Sequence, residues 1–224
     1  MRLCLVTNRG RLARRLGLTP DAALDAIAAL AGDAARAGVD LIQVREPGLE
    51  ARELAQLVRA VIAAARPAGA RIVVNDRLDV AMACGADGVH LKASSMPARA
   101  VRRLAPSPFL VGQSVHDPRE VREAVEGGVD YLIFGTVFPS ASKGPDWPLA
   151  GVAGLGEAVR AAAPVPVLAI GGVTPETAPL AAAAGAAGAA VIDALLPERI
   201  PAGPALSGRV DALRRAFDRP SGVS

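Results

Sequence analysis

Short apolar runs alternate with alanine-rich stretches along the whole chain. The runs are four to seven residues long, and most are rich in Val, Ile or Leu, which is typical of buried strands in a parallel sheet. The pattern therefore predicts eight β-strands. They fall at residues 3–7, 41–45, 71–75, 88–91, 109–114, 131–135, 166–172 and 189–193.

Helical patterns occupy the intervals between these strands. Several begin with a capping residue followed by proline, as at Thr19-Pro20, Asp117-Pro118 and Thr174-Pro175, because proline fits the first helical turn. The predicted helices span residues 20–37, 49–66, 77–84, 97–104, 117–127, 152–162, 175–184 and 208–218.

Strict alternation of strand and helix predicts an α/β fold. We expect a single (β/α)8 TIM barrel over residues 1–224, with a frayed tail at about 219–224. An open, doubly wound sheet is the alternative. No Gly-x-Gly-x-x-Gly motif follows the first strand, so a dinucleotide site has no support.

Composition argues against several kinds of partner. Aromatic residues make up only 3% of the chain, and the net charge of +3 is scattered, so we expect no nucleic-acid binding. Glycine, proline and charged residues interrupt every apolar run, so we expect no membrane segment. Cys4 and Cys84 lack the spacing of a metal site. These features predict a cytoplasmic protein that acts on small molecules. A monomer and a homo-oligomer are both compatible with them.

In a TIM barrel the chemistry lies in the loops at the carboxyl ends of the strands. That rule alone selects a set of polar residues and glycines. They are Gln43, Arg45, Asn75, Asp76, Lys92, Ser114, His116, Thr136, the loop 139–144, Gly171, Gly172 and Asp193.

Lysine is rare in this chain. Only Lys92 and Lys143 occur among 25 basic residues, and both follow predicted strands. A compact ammonium suits phosphate oxygens, although chance retention is the alternative. Lys143 shares its loop with Ser140 and Ser142. Three such donors can bind an oxyanion or pyrophosphate, whereas the plainer interpretation is a serine-rich surface loop.

Three further motifs suggest specific chemistry. Gly171 and Gly172 follow the seventh strand, where bare backbone N–H groups of a barrel often bind phosphate. Asp76 offers a carboxylate for Mg²⁺ or a cap for the next helix. His116 can exchange protons at the mouth of a barrel or be structural. His90 lies within a strand, which favours a hydrogen-bonded role in the core.

Together these motifs resemble the thiamine phosphate synthase and TenI (thiazole tautomerase) superfamily. The resemblance covers essentially the whole chain. It rests on IQVRE at 42–46, VNDRLDVAMACGADGVHL at 74–91, GQSVHDPREV at 112–121, DYLIFGTVFPSASK at 130–143, and VLAIGGVTPE and GAAGAAVIDAL nearer the end.

Resemblance to the synthase implies joining an aminopyrimidine pyrophosphate to a thiazole phosphate, with release of pyrophosphate and with Mg²⁺. It implies that Gln43 and Arg45 contact the pyrimidine pyrophosphate and that Asn75 and Asp76 lie near the metal. It also implies that Ser140, Ser142 and Lys143 cover the pyrophosphate, and that Gly171 and Gly172 bind the thiazole phosphate.

Three positions depart from the synthase pattern. Pro47 replaces a lysine, Ser95 replaces a second metal-binding aspartate, and Asp193 replaces a serine. Loss of one of two carboxylates weakens a Mg²⁺ site. A carboxylate beside a bound phosphate is repelled unless it points away or pairs with an arginine.

The TenI branch matches the first two departures better and carries a histidine that corresponds to His116. It implies a thiazole tautomerase that needs no cofactor, and this is the main prediction. The alternatives are a synthase with Mg²⁺, or a non-catalytic phosphate-ligand sensor or regulatory paralogue. The expected partners are small phosphorylated thiazole or pyrimidine ligands. The predicted catalytic residues are His116 and Lys143. The predicted ligand-binding residues are Gln43, Arg45, Asn75, Lys92, Ser114, Thr136, Ser140, Ser142, Gly171, Gly172, Ile192 and Asp193, with Asp76 as a metal ligand in the synthase alternative.

Overall fold

A computed structural model describes residues 1–140, 144 and 146–218 of the chain. Its eight strands form a closed barrel in the order of the sequence, and the recorded pairings between neighbouring strands are parallel. The predicted TIM barrel is therefore confirmed. The strands are β1 Arg2–Val6, β2 Leu41–Val44, β3 Arg71–Asn75, β4 Gly88–Leu91, β5 Leu110–Val115, β6 Tyr131–Phe134, β7 Val167–Ile170 and β8 Gly188–Val191.

The described part of the chain has one α-helix more than the pattern predicted. The helices are α1 Arg9–Leu16, α2 Pro20–Arg36, α3 Ala51–Ala65, α4 Leu78–Ala83, α5 Ala98–Leu104, α6 Pro118–Glu126, α7 Gly151–Ala162, α8 Ala178–Ala183 and α9 Pro204–Asp218. Short 3-10 helices occupy Arg66–Ala68 and Asp193–Leu195. The additional helix is α1, which buries only Leu12 and carries four arginines, so it lacks the apolar stripe on which helix prediction depends.

Helix starts follow the predicted caps at two of three positions. The side chains of Thr19 and Asp117 accept backbone N–H bonds at the starts of α2 and α6, as expected for N-cap residues. The third prediction was wrong, because α8 begins at Ala178 rather than next to Thr174. Instead, Thr174 N–H donates to Thr177 Oγ1 in the turn before the helix.

Close approach of the first and last strands depends on one glycine. Arg2 N–H donates to the Ala187 carbonyl at 2.9 Å. A Cβ atom built on neighbouring Gly188 would lie 2.7 Å from the Arg2 carbonyl carbon. Real Cβ atoms essentially never approach another atom that closely, so β8 requires glycine here.

Backbone contacts group the chain into two compact units. We call Cys4–Val89 with Ile192–Asp211 the amino-terminal unit, and Met1–Leu3 with His90–Val191 and residues 212–218 the carboxy-terminal unit. The expectation of one domain stays a prediction. The predicted frayed tail lies outside the described residues. Among the described residues, no helix combines the length and the apolar character needed to cross a membrane.

Candidate active site

Gln43 and Arg45 lie at the carboxyl end of β2 in the amino-terminal unit. Gln43 is the third residue of the strand and only 3% exposed, whereas the Arg45 side chain is exposed just beyond it. The backbone here continues the pairing with β1, because Thr7 N–H donates to the Gln43 carbonyl at 2.9 Å. An amide and a guanidinium are thus presented from a backbone held by the sheet.

Glu46 follows these two residues and is buried, with 8% exposure. One carboxylate oxygen accepts the Thr7 hydroxyl at 2.6 Å, and the other accepts the Arg9 backbone N–H at 2.8 Å. Burial raises the pKa of Glu46 above its usual value, and these two hydrogen bonds and the charges of Arg9 and Arg45 oppose that rise. Sequence reasoning missed both Glu46 and Thr7, because they are 39 positions apart and only the fold brings them together.

Asp76 follows β3 with an unusual backbone. Its φ angle is +63°, in the left-handed region, which costs a residue other than glycine about 1–3 kcal/mol, although Asp tolerates it better than most. Asn75 and Asp76 are both half-buried, and the Asn75 carbonyl accepts Arg77 N–H at 2.8 Å. Arg77 occupies the cap position of α4, so Asp76 lies one residue before it.

These two residues can hold a metal only together with a ligand that brings its own oxygens. Among residues 1–140, 144 and 146–218, no group of three His, Cys, Asp or Glu side chains could hold a metal ion. Mg²⁺, however, is often bound by one or two carboxylates, phosphate oxygens and waters. The Asp76 carboxylate and the Asn75 amide therefore fit a Mg²⁺ ion that arrives with a phosphorylated substrate.

Asp193 begins the 3-10 helix after β8 and is exposed, whereas Ile192 before it is half-buried. The Asp193 carboxylate forms an ion pair with the Arg11 guanidinium of α1. Sequence reasoning did not identify Arg11, because the two residues are 182 positions apart. The pairing supplies the arginine that a carboxylate near a phosphate requires.

His90 lies in the carboxy-terminal unit at the centre of a hydrogen-bond chain. Its ring is 1% exposed, with Nδ1 3.1 Å from the Tyr131 hydroxyl and Nε2 2.9 Å from the Ser114 hydroxyl. The prediction of a hydrogen-bonded core histidine is therefore confirmed. Ser114, a predicted ligand-binding residue, is half-buried on β5. Tyr131 was missed, because only the fold brings it beside His90.

Lys92 and Ser95 form a turn just after β4. Lys92 N–H donates to Ser95 Oγ at 2.9 Å, and Ser95 N–H donates to the Lys92 carbonyl at 3.1 Å. The Lys92 side chain is exposed. Ser95 thus closes the turn that carries Lys92. In the synthase pattern this position is a second aspartate.

His116 lies after β5 and is largely exposed. Its backbone N–H donates to Glu120 Oε2 at 2.7 Å, and its Nδ1 lies 3.0 Å from the same oxygen. Asp117 caps helix α6 by accepting from the N–H groups of Glu120 and Arg119, and these bonds hold the pKa of Asp117 below its usual value. The contacts of His116 therefore belong to the start of α6.

Gly171 and Gly172 pack against the segment that follows β6. Their φ angles are +96° and +62°, and Cβ atoms built on them would lie 3.1 Å from Thr136 Cα and 2.8 Å from Phe138 Cβ. Their carbonyls accept Phe138 N–H at 3.0 Å and the Thr177 hydroxyl at 2.8 Å. Within the described part of the chain, neither glycine donates its N–H to another protein group, so both donors remain available to an anion.

The loop after β6 is described in part. Thr136 and Ser140 are half-buried, and the Thr136 carbonyl accepts Ala150 N–H at 2.9 Å. Ser142 and Lys143, which we predicted to bind an anionic group, lie outside the described residues.

Comparison with known proteins identifies the relatives of this chain. A thiamine-phosphate synthase of Methanoregula boonei is 40% identical over 192 residues, which cover 85% of this chain and 88% of that protein. A thiamine-phosphate synthase of Moorella thermoacetica is 43% identical over 159 residues, covering 71% and 75%. The solved structure of a Pyrococcus furiosus thiamine phosphate pyrophosphorylase matches 99% of this chain and 97% of its own, with a TM-score of 0.78 and 29% identity.

These relatives correct the main functional prediction. We expected a TenI-like thiazole tautomerase, an isomerase, but relatives about 40% identical over most of the chain are named thiamine-phosphate synthase. The tautomerase prediction was therefore wrong, and the alternative is favoured. The predicted superfamily is confirmed, because the family described as thiamine monophosphate synthase matches residues 16–195. The chain belongs to the thiamine monophosphate synthase family.

Proposed function

We propose that the protein is a thiamine-phosphate synthase that joins an aminopyrimidine pyrophosphate to a thiazole phosphate and releases pyrophosphate. The observation that carries the proposal is the 40–43% identity, over 71–85% of this chain, to relatives of that name. The proposed substrates are small anions, which agrees with the polar residues at the strand ends.

The proposed reaction sets the chemical requirements of the site. The bond between carbon and the pyrophosphate oxygen breaks, a bond from that carbon to the thiazole ring forms, and the electron pair leaves with pyrophosphate. Negative charge therefore grows on the leaving group, and fixed donors aimed at that charge accelerate such a step. The bond changes as written move no proton, so His116 has no acid or base role in this proposal.

Residues of the amino-terminal unit supply donors for the pyrimidine pyrophosphate in this proposal. The Arg45 guanidinium can bind phosphate oxygens through two parallel hydrogen bonds, and the buried Gln43 amide can orient a polar ring. Asn75 and Asp76 would hold Mg²⁺, which when bound neutralises charge on the pyrophosphate. Their half-buried positions after β3 support this role.

Residues of the carboxy-terminal unit supply donors to the phosphorylated groups in the same way. The N–H groups of Gly171 and Gly172 would bind the thiazole phosphate, and their lack of protein acceptors within the described ranges supports this role. The remaining candidates are donors at the ends of β4, β5 and β6 and in the loop after β6. They are Lys92, Ser114, Thr136 and Ser140, together with Ser142 and Lys143 from the sequence resemblance alone.

The departures from the synthase pattern do not oppose this proposal equally. The ion pair with Arg11 offsets the charge of Asp193, so a phosphate near residue 193 meets a paired carboxylate. Ser95 and Pro47 stand where the synthase pattern has an aspartate and a lysine, so this chain lacks one carboxylate and one ammonium of that pattern. We therefore expect weaker binding of Mg²⁺ than a site with two carboxylates provides.

The direct test is formation of thiamine phosphate by the purified protein. The protein receives aminopyrimidine pyrophosphate, thiazole phosphate and Mg²⁺, and both thiamine phosphate and pyrophosphate are quantified. Equal amounts of the two products, with neither formed when thiazole phosphate is omitted, would support the proposal. A folded protein that makes no thiamine phosphate would refute it.

A further inference from the structure

Glu46 joins the ends of the first two strands through buried hydrogen bonds. Its carboxylate accepts the Thr7 hydroxyl at 2.6 Å and the Arg9 N–H at 2.8 Å. Burial of a carboxylate is costly unless its oxygens are hydrogen-bonded, and both oxygens of Glu46 are. The Glu46 carboxylate is therefore a structural hydrogen-bond acceptor whose two oxygens are held in place.

Thr7 connects Glu46 to the segment that carries Arg45. The Thr7 hydroxyl donates to Glu46 and also accepts the Arg45 backbone N–H at 3.0 Å. Thr7 N–H in turn donates to the Gln43 carbonyl at 2.9 Å. Two hydrogen bonds to one threonine thus tie the backbone at Gln43 and Arg45 to the end of β1.

The second Glu46 contact lies at the amino terminus of α1. Arg9 is the first residue of that helix, and its N–H is one of the four that have no acceptor within a helix. A negative charge at this end is also favoured by the helix dipole. Glu46 therefore anchors the start of α1 with one oxygen and the Thr7–Arg45 contact with the other.

We propose that Glu46 is a positioning residue, which acts through Thr7 to hold Gln43 and Arg45 in the geometry that binds pyrophosphate. The inference rests on the proposed function, in which those two side chains contact the aminopyrimidine pyrophosphate. Glu46 itself does not touch the substrate. Its effect on binding comes from the fixed backbone from which the Arg45 side chain extends.

Two nearly isosteric substitutions test this role. Glu46→Gln keeps the shape of the side chain, but its NH2 group is a donor and cannot accept the hydrogen bond that the carboxylate oxygen in that position accepts from Thr7 or Arg9. Thr7→Val removes the hydroxyl, whereas Thr7→Ser retains it. Glu123→Gln is the matched control, because Glu123 is exposed on α6 and paired with Arg119.

The measurements are calorimetric titration with inorganic pyrophosphate and Mg²⁺, steady-state kinetics with both substrates, and amide hydrogen exchange. We expect Glu46→Gln and Thr7→Val to weaken pyrophosphate binding about tenfold, the effect of about one lost hydrogen bond to a charged group. The KM for the pyrimidine substrate should rise similarly, while the KM for thiazole phosphate changes less than about twofold. Exchange at the Arg9 amide should accelerate in Glu46→Gln, and Thr7→Ser and Glu123→Gln should resemble wild type.

Each outcome decides the proposal. Unchanged pyrophosphate affinity in folded Glu46→Gln and Thr7→Val would overturn it, as would a wild-type protein that does not bind pyrophosphate. Should Glu46→Gln fail to fold, the comparison of Thr7→Val with Thr7→Ser decides. If the wild type makes no thiamine phosphate but pyrophosphate binding still falls in both variants, the proposed function fails and the positioning role stands.

Discussion

Gly112 leaves room for the Tyr131 ring, and its replacement by alanine should destabilise the protein strongly. The two residues are paired across β5 and β6. A Cβ atom built on Gly112 would lie closer than 3.0 Å to three ring and hydroxyl atoms of Tyr131. Tyr131 is 5% exposed and its hydroxyl lies 3.1 Å from His90 Nδ1. The ring therefore cannot move away without breaking that contact.

The expected magnitude follows from three terms. Normal carbon–carbon contact is about 3.5–4.0 Å, so the ring must move by more than about 1 Å. A shift of that size can take the Tyr131 hydroxyl, 3.1 Å from His90 Nδ1, beyond hydrogen-bonding distance. Overpacking costs about 1–3 kcal/mol, and loss of a buried hydrogen bond costs about 1–3 kcal/mol. Reduced entropy of the unfolded chain offsets about 0.4–1 kcal/mol. We expect a net loss of about 1–6 kcal/mol in the free energy of unfolding.

Urea denaturation followed by circular dichroism measures this loss. The matched control is Gly208→Ala, because Gly208 is exposed in α9 with no atom within 4 Å of a built Cβ, and it should stabilise by about 0.5–1 kcal/mol. In a Tyr131→Leu background, Gly112→Ala should be nearly neutral. A loss below about 1 kcal/mol, or an equal loss in the Tyr131→Leu background, would refute the argument.

Three further predictions concern residues near the strand ends. Burial raises the pKa of Glu46, so the folded state binds its proton more tightly. The unfolding free energy of wild type relative to Glu46→Gln should therefore fall as pH increases from about 4.5 through the raised pKa, and urea titrations that show a rise would contradict this. Gly172→Ala should lower the free energy of unfolding by about 2–4 kcal/mol, because it adds overpacking to a strained left-handed backbone. An unchanged melting temperature would contradict this prediction. Asp193→Ser should lower the KM for thiazole phosphate by about three- to tenfold at low salt and less at high salt, because Arg11 is released; a KM unaffected by the substitution would exclude this effect.

The prediction of a tautomerase rather than a synthase was wrong for a reason that the structure explains. Three departures, at Pro47, Ser95 and Asp193, argued against a synthase when each was considered alone. Yet the consequence of a charged side chain depends on its partner, and the partner of Asp193 is Arg11, on a helix that the apolar pattern did not predict. Identity to the relatives over most of the chain outweighs a few positions whose surroundings the sequence does not reveal.

The sequence by itself determined the order of the strands and of the described helices other than α1, the barrel, the superfamily and the core position of His90. These follow from local patterns, because apolar runs, capping residues and terminal glycines act over a few residues. Only the tertiary structure decided the partners of the polar side chains. Thr7 and Glu46 are 39 positions apart, and Arg11 and Asp193 are 182 apart. Such pairs form because folding brings together residues that are distant in the sequence, and hydrogen bonds and ion pairs depend on distance in space.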